Sequence, residues 1–342
     1  MGINFRKAVP TPKEIKEQYP VPQHVVELKA KRDQEIKDVI AGKDDRFLVV
    51  IGPCSADNQD SVCDYLERLA KVNEKVQDKL IIIPRVYTNK PRTTGEGYKG
   101  MVHQPDPEQE PDILAGLLAI RDLHIKAADI SGMTCADEML YPENYQYLSD
   151  ILSYVAVGAR SVENQQHRLV VSGMDIAAGM KNPTSGGLDV MLNSVLAGQI
   201  PQEFLYRQHE VRTDGNPYAH SILRGAVNQY GTALPNYHYE DLQELSKLYA
   251  ERGLENPACV VDANHANSNK KYKEQIRIVK DILNSRKLSG DIRSLVKGVM
   301  IESYIEEGNQ KIGDGCYGKS ITDPCLGWDD SERLLFEIAE NC

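Results

Sequence analysis

The sequence has no apolar run approaching the roughly 20 residues that a membrane-spanning helix needs. Its longest apolar runs, such as residues 47–51 and 80–83, have the length of strands. The first residues also lack the apolar stretch of a secretory signal peptide. We therefore expect no membrane association and a cytoplasmic location.

Cysteine pairs at the spacing of metal or redox motifs are absent as well. The seven cysteines are scattered, and none forms a Cys-x-x-Cys motif, which argues against a disulfide framework and a zinc finger. Acidic residues outnumber basic ones by 50 to 40, so the net charge is −10. This charge disfavours nucleic acid as a partner. An anionic substrate would require the basic residues that bind it to be gathered in one place.

A short apolar, β-rich run followed by a helical pattern recurs along the chain. The eight runs are residues 47–51, 80–84, 136–140, 154–158, 175–180, 203–206, 259–262 and 298–301. Such alternation predicts an α/β fold, either a (β/α)8 TIM barrel or an open doubly wound sheet. We expect an N-terminal extension over residues 1–45, with one helix at 23–40 and a role in oligomerisation or regulation. Residues 46–342 would form the catalytic barrel, with an excursion at 207–221 after the sixth strand.

Reactive side chains lie just beyond most of these runs, which favours the barrel. The carboxyl ends of all barrel strands meet at one mouth, whereas an open sheet brings together only the loops at its switch point. The residues at or after the run ends are Cys54, Arg85, Lys90, Glu138, Arg160, Lys181, Arg207, Arg224, His265, Glu302 and Asp323. A barrel would unite them in one site.

These residues form two chemical sets. Cys54, His265, Glu302 and Asp323 offer a thiolate, an imidazole and two carboxylates, which suit Mn, Fe, Co or Zn better than Mg or Ca. Arginines and lysines form the second set, and guanidinium groups bind carboxylate and phosphate oxygens bidentately. The two sets together indicate a Lewis acid beside a clamped anion. They do not distinguish an aldol condensation from phosphoryl transfer or decarboxylation.

Several motifs resemble those of type I 3-deoxy-D-arabino-heptulosonate 7-phosphate (DAHP) synthases, in the branch that aromatic amino acids regulate. The most specific are Lys-Pro-Arg-Thr-Thr at 90–94 and Gly-Lys-Ser-Ile-Thr-Asp at 318–323. Others are Gly-Pro-Cys-Ser at 52–55, Gly-Ala-Arg at 158–160 and His-Ala-Asn-Ser at 265–268. The resemblance runs in order from about residue 45 to 335.

The resemblance implies a barrel enzyme that condenses phosphoenolpyruvate with erythrose 4-phosphate and binds one divalent metal ion (Mn, Fe, Co or Zn). The implied metal ligands are Cys54, His265, Glu302 and Asp323. The implied phosphoenolpyruvate contacts are Arg85, Gly158, Ala159, Arg160, Lys181 and Arg224. The implied erythrose 4-phosphate contacts are Lys90, Pro91, Arg92, Thr93 and Thr94. Lys181, Glu138, His265 and Cys54 are the expected catalytic residues, and we hypothesise that Glu138 and Lys181 handle the protons of an attacking water.

The sequence departs from the family pattern in places. Asn264 stands where relatives commonly have Ser, and the loop after Thr94 is one residue longer than usual. Residues Met139, Tyr141, Asp175 and Tyr206 differ from what we expect of an inhibitor pocket, so the identity of an aromatic amino acid effector stays open. A homodimer or homotetramer is expected. We also hypothesise that metal-free protein forms a Cys54–Cys325 disulfide.

Two alternatives accompany this interpretation. 3-Deoxy-D-manno-octulosonate 8-phosphate synthase shares the barrel and phosphoenolpyruvate, but its second loop typically reads Lys-Ala-Asn-Arg-Ser. A catalytically weak regulatory subunit is the other alternative, although such a protein should have lost a ligand or a cation.

Overall fold

Eight parallel strands form a barrel in the computed structural model, which describes residues 2–92 and 94–342. The strands are β1 (Phe47–Gly52), β2 (Leu80–Pro84), β3 (Ala136–Glu138), β4 (Tyr154–Val157), β5 (Ala177–Lys181), β6 (Ala219–Leu223), β7 (Cys259–Asp262) and β8 (Val296–Glu302). Each pairs with its neighbours in the chain, and β8 pairs with β1. A parallel bridge between Arg85 and Ala136 joins β2 to β3 and closes the barrel.

Helices surround the strands and fill the connections between them. They are α1 (Pro12–Gln18), α2 (Gln23–Ile40), α3 (Gln59–Val76), α4 (Ile113–Ser131), α5 (Pro142–Tyr145), α6 (Gln165–Val171), α7 (Leu188–Gln199), α8 (Tyr239–Arg252), α9 (Glu274–Leu288), α10 (Gly290–Leu295) and α11 (Trp328–Asn341). Side-chain caps fix where several begin: Asn58 Oδ1 accepts from the Ser61 amide at α3, and Asp112 accepts from two amides at α4. Among the described residues, no helix combines the length and apolarity needed to cross a membrane.

The alternation of side chains along each strand divides the core in two. Leu48, Val50 and Ile81 belong to an inner cluster, whereas Val49 and Ile51 pack outward in a larger cluster with the helices. All five residues are fully buried. Because both faces of the strands are covered, the strands appear in the sequence as continuous apolar runs.

Helix α2 spans the residues predicted for it and covers the N-terminal opening of the barrel. Ile36, Val39 and Ile40 are buried and join the inner cluster. Arg32 donates from Nη2 to the carbonyl oxygen of Ile82 in β2. This part of the 1–45 extension therefore closes the end of the barrel opposite the active site.

The predicted sixth strand was wrong. Residues Glu203–Tyr206 pair antiparallel with His209–Arg212 in a hairpin outside the barrel, where Leu205 is 76% exposed. The sixth barrel strand is Ala219–Leu223, so this excursion precedes the strand instead of following it. His220 and Ser221 made the true strand look polar, but the Tyr154 hydroxyl lies 2.7 Å from His220 Nε2 and Ser221 Oγ donates to the Ala258 carbonyl. Satisfied in this way, both residues are buried.

A second excursion does follow the true β6. Ala226–Val227 pairs antiparallel with Ala233–Leu234 before α8 begins. A third small element pairs Glu306–Asn309 with Lys319–Ser320 beyond β8. Both lie in loops that leave the C-terminal ends of the strands, where the site residues are found.

Candidate active site

One pocket at the C-terminal mouth of the barrel gathers most of the predicted residues. It is lined by Cys54, Arg85, Lys90, Pro91, Arg92, Glu138, Gly158, Ala159, Arg160, Lys181, Arg224, His265, Lys270 and Asp323. Glu302 lies at the end of β8, is 1% exposed and contacts Arg85. Thr94 is exposed and is not among the described lining residues, and Thr93 lies outside the described residues. Arg207, expected at the mouth, lies instead in the hairpin outside the barrel and does not line the pocket.

Close approach of backbone at the strand ends requires glycine in two places. A Cβ at Gly52 would collide with the carbonyl oxygen of Arg85, and one at Gly158 would collide with Glu138 Oε1. These glycines let neighbouring strand ends sit against each other and bring Arg85 and Glu138 to the mouth.

A thiol and two carboxylates form the most compact cluster of the mouth. Ligand atoms of Cys54, Glu302 and Asp323 all lie within 4.8 Å of one another. The Lys90 ammonium is 2.8 Å from Cys54 Sγ and 3.0 Å from Asp323 Oδ2, so a cation already occupies one side of this group. A soft sulfur beside hard oxygens is a donor set that transition metals accept. These residues therefore fit a metal ion.

His265 lies next to this cluster. Its Nε2 is 3.8 Å from Glu302 Oε1, and its Nδ1 is 2.8 Å from Asp262 Oδ2. A carboxylate at one ring nitrogen orients the imidazole and frees the other nitrogen for a ligand. The backbone of His265 adopts φ 49°, a left-handed conformation uncommon for a residue other than glycine. Burial lowers the pKa of His265, which favours the neutral imidazole that binds metals.

Glu302 is held by three neighbours. Arg85 Nη2 donates to Oε1 at 3.0 Å, and Asn264 Nδ2 donates to Oε2 at 2.5 Å. The Gln275 side chain bonds the Glu302 backbone in both directions. Burial by itself would raise the pKa of Glu302, but the charges of Arg85 and Lys90 keep it below its ordinary value. The carboxylate is therefore ionised in the folded protein.

Basic side chains line the rest of the pocket. Lys181 Nζ lies 3.1 Å from Asp262 Oδ2, which balances one of these charges. Arg224 is 8% exposed, and its Nη1 has no hydrogen-bond partner among the described residues. Burial lowers the pKa of Arg224. An unpartnered donor in a basic pocket is suited to an anion that enters from solvent.

Two contributors to the site were not predicted. Asp262 ends β7 and contacts both Lys181 and His265, and a charged residue ending an apolar run was the signal for it. Lys270 Nζ lies 2.8 Å from Asp323 Oδ1. It reaches the mouth because Asn269 and Lys270 both adopt positive φ, at 51° and 58°. Nothing in the sequence indicated that turn.

Comparison with known proteins decides the family. A sequence profile described as the DAHP synthetase I family matches residues 22–336. The chain belongs to this family. A phospho-2-dehydro-3-deoxyheptonate aldolase of Haemophilus influenzae is 40% identical over 332 residues, which cover 95% of this chain and 89% of the relative.

Other relatives extend the match to nearly the whole chain. The Tyr-sensitive and Phe-sensitive phospho-2-dehydro-3-deoxyheptonate aldolases of Escherichia coli K12 are each 36% identical over 348 residues, or 99% of this chain, and these cover 94% and 96% of the relatives. The solved structure of the Francisella tularensis SCHU S4 enzyme of the same name superposes with a TM-score of 0.92. It is 31% identical, and the match covers 99% of this chain and 98% of that one.

These findings confirm the predicted family, the barrel and the assignment as an enzyme of the DAHP synthase type. DAHP synthases catalyse the first step of aromatic amino acid synthesis. Neither the octulosonate synthase nor the regulatory subunit is supported by a relative named here. The roles of individual site residues stay predictions, as do the 1–45 and 46–342 division and the Cys54–Cys325 disulfide. Both cysteines are buried and unbonded in the structure.

Proposed function

We propose that this chain condenses phosphoenolpyruvate with D-erythrose 4-phosphate and water to give 3-deoxy-D-arabino-heptulosonate 7-phosphate and phosphate. The observation that carries the proposal is the shared pocket, in which basic side chains surround a thiol–carboxylate cluster. Both substrates are anions, and the net charge of −10 would repel them elsewhere. A pocket of concentrated positive charge is therefore a strong chemical requirement of this reaction.

Phosphoenolpyruvate would be bound by Arg85, Arg160, Lys181 and Arg224, with the backbone at Gly158 and Ala159. Arg224 supports this assignment best, because its buried Nη1 has no acceptor among the residues that the structure describes. Arg85 and Lys181 are anchored by Glu302 and Asp262, so their charged groups are fixed before substrate arrives. Fixed donors reduce the ordering that binding requires.

Cys54, His265, Glu302 and Asp323 would hold one divalent ion, for which we propose Mn, Fe, Co or Zn. When bound, such an ion supplies a Lewis acid for a carbonyl oxygen. The neighbouring contacts support the assignment, since Asp262 orients His265, and Asn264 with Arg85 orients Glu302.

Erythrose 4-phosphate would lie on the loop from Lys90 to Thr94. Arg92 Nε donates to the carbonyl oxygen of Tyr98 at 2.8 Å, which holds its guanidinium at the edge of the pocket. Lys90 contacts Cys54 and Asp323, and would have to turn from them to reach a sugar phosphate.

Glu138 and Lys181 would manage the protons of the bond-forming steps. C3 of phosphoenolpyruvate attacks the aldehyde carbon of the sugar, and positive character develops at C2. The aldehyde oxygen takes up a proton and becomes a hydroxyl, while water adds at C2 and loses a proton to leave a hydroxyl there. Phosphate then leaves with cleavage of the C2–O bond as that hydroxyl loses its proton and becomes the ketone. Both side chains line the pocket, Glu138 from the end of β3 and Lys181 from the end of β5, and these two strands flank β4. A carboxylate and an ammonium are an acid–base pair suited to this exchange.

A substrate assay tests the proposal. We expect phosphoenolpyruvate consumption with erythrose 4-phosphate, little with arabinose 5-phosphate, and loss of activity in chelator that added metal restores. Preference for arabinose 5-phosphate would instead support the octulosonate synthase. Cys54→Ser should lower kcat/KM on the order of a thousandfold or more, whereas the exposed Cys316→Ser should not.

The role of Glu138 has its own test. Glu138→Gln should lower kcat by about 10²–10⁴-fold, the range of general acid–base catalysis. Glu143→Gln removes an exposed carboxylate five residues away and serves as the control. Unchanged turnover of Glu138→Gln would reject the role.

We further propose an aromatic amino acid effector and a cytoplasmic homodimer or homotetramer. The names of the Tyr-sensitive and Phe-sensitive relatives support the effector. Phe5 is 98% exposed and Ile3 is 72% exposed in the N-terminal extension, which suits burial against another subunit. Assays with Phe, Tyr or Trp added singly, and sedimentation of the protein without its first ten residues, test these points.

A further inference from the structure

A second basic pocket lies at the opposite end of the barrel. It has a volume of about 410 Å³ and is lined by Ile40, Ala41, Gly42, Asp44, Asp45, Arg46, Asn256, Pro257, Arg286, Arg293, Ser294 and Lys297. These residues come from the C-terminal end of α2, the segments before β1 and β7, helices α9 and α10, and the start of β8. We call this site the floor pocket. Strands β1, β8 and β7 are neighbours in the sheet, so their N-terminal ends frame it.

Arg286 is the central observation. Its side chain is buried, with 8% of the residue exposed, yet it makes no salt bridge with any described residue. Its Nε has no hydrogen-bond partner in the described chain. The guanidinium carbon lies 4.4 Å from the centre of the Phe47 ring, which supports one face of the group and leaves its edge for another ligand. A buried arginine normally has an anionic partner.

The neighbouring charges leave a positive excess. Arg46 is engaged by Asp44 at 2.7 Å and Glu35 at 3.5 Å. Arg286, Arg293 and Lys297 then face one remaining carboxylate of the pocket, Asp45. The C-terminal end of α2 adds roughly half a negative charge. Together these groups do not balance three cations.

Burial destabilises the charged forms of two cations in this pocket. Burial lowers the pKa of Arg286 to about 10. Burial also lowers the pKa of Lys297, and the charge of Arg286 lowers it further. Lys297 Nζ lies over Gly42, 3.5 Å from where a Cβ would stand. An anion placed between Arg286 and Lys297 would stabilise the charged forms of both side chains.

We propose that the floor pocket binds a phosphate-bearing small molecule at the end of the barrel opposite the active site. A phosphate dianion matches the excess charge and accepts bonds from several cations at once. The pocket is larger than a phosphate, and Ile40 and Pro257 offer an apolar wall for the rest of the molecule. The ligand class is therefore a phosphomonoester of a small organic molecule.

Binding of inorganic phosphate and glycerol 3-phosphate tests the proposal. Both are titrated by calorimetry at constant ionic strength, in an Arg224→Gln background that weakens anion binding at the mouth. Arg286→Met and Lys297→Met should each weaken phosphate binding by at least about tenfold. Lys43→Met removes an exposed charge beside the pocket and should leave binding unchanged. Glycerol 3-phosphate should bind more tightly than phosphate because of the apolar wall.

The proposal is overturned if phosphate binds equally to the parent, Arg286→Met and Lys297→Met proteins, or if the parent binds none. Lys297 is half-buried, so its variant provides a result even if the Arg286 variant folds poorly. A third outcome also overturns it: dissociation of an oligomer by phosphate in sedimentation would mean that an acidic segment of a second copy occupies the pocket.

Discussion

The two ends of the barrel both collect basic side chains, but they balance the charge differently. At the mouth, Arg85 is paired with Glu302 and Lys181 with Asp262, and all four residues are buried. At the floor, Arg286 is also buried, although slightly more exposed, and has no carboxylate partner among the described residues. Apart from Arg224, whose Nη1 has no partner in the described residues, the mouth pairs these charges before it binds anything, whereas the floor pocket leaves charge that a ligand would balance.

The largest expected effect comes from breaking a pair at the mouth. Arg85→Met should lower the free energy of unfolding by about 3–5 kcal/mol, because Glu302 would stay buried without its main counter-charge. Denaturant titration of metal-free protein measures this change. Arg333→Met breaks an exposed pair with Asp330 and should change stability by no more than about 0.5 kcal/mol. Equal midpoints for Arg85→Met and the parent would show that the pairing is not structural.

The carboxyl of Asp57, in the loop after β1, should make the stability of the protein depend on pH. Burial raises the pKa of Asp57 from 3.8 to about 7, and its Oδ1 has no hydrogen-bond partner in the described residues. Between these values the folded protein holds a proton that the unfolded chain releases, so stability falls as pH rises toward and through 7. In Asp57→Asn, the decrease in the free energy of unfolding with rising pH should be smaller by roughly 2–3 kcal/mol.

Unfolding midpoints at pH 5 and pH 8 measure the Asp57 effect. The increase in unfolding midpoint of Asp57→Asn over the parent should be larger at pH 8 than at pH 5. Asp60→Asn changes an exposed carboxylate in the same segment and should show no such difference. A gain that is equal at both pH values would mean that Asp57 is ionised throughout.

A smaller effect should follow from weakening the support of a proposed metal ligand. Asn264→Ala removes the amide that donates to Glu302 Oε2, and we expect metal affinity to fall by about 10–100-fold. Asn264→Ser, the residue common in the family, should recover part of the loss. Competition with a chromophoric chelator measures the affinity, with the exposed Asn284→Ala as control. Unaltered affinity in Asn264→Ala would assign the orientation of Glu302 to Arg85.

The smallest effect is expected at the floor. In phosphate-free buffer, Arg286→Met should change the free energy of unfolding by no more than about 1 kcal/mol, or stabilise the protein, because it removes a buried charge that pairs with no carboxylate of the described residues. The same thermal or denaturant measurement applies to Arg85→Met and Arg286→Met. A loss as large as that of Arg85→Met would remove the distinction between the two ends.

The sequence predicted the barrel because most strands are buried on both faces and therefore form unbroken apolar runs. It failed at β6, where His220 and Ser221 are polar by type but satisfied by Tyr154 and Ala258. Such partners lie 37 or more residues away and leave no local pattern.

The mouth was predictable from strand ends, since parallel strands carry their terminal residues to the same side. The contacts within it were not. Lys270 reaches Asp323 through a left-handed turn, and Lys90 lies against Cys54 instead of projecting freely. The residues of the floor pocket are spread along the chain between positions 40 and 297, before or at the start of strands. No sequence motif marks them.

The junction between β2 and β3 has the fewest backbone pairs of those described around the barrel. Strands β1 and β2 are joined by a ladder of five residue pairs, but β2 and β3 are joined, in the described part of the chain, by one bridge between Arg85 and Ala136. This seam is therefore where the cylinder is easiest to part. The arginine that forms it also holds Glu302. Transient separation of β2 from β3 would therefore disturb the contact between Arg85 and Glu302, which lies on β8 at the other side of β1. Arg85 thus belongs both to the least paired strand junction of the barrel and to the proposed active site.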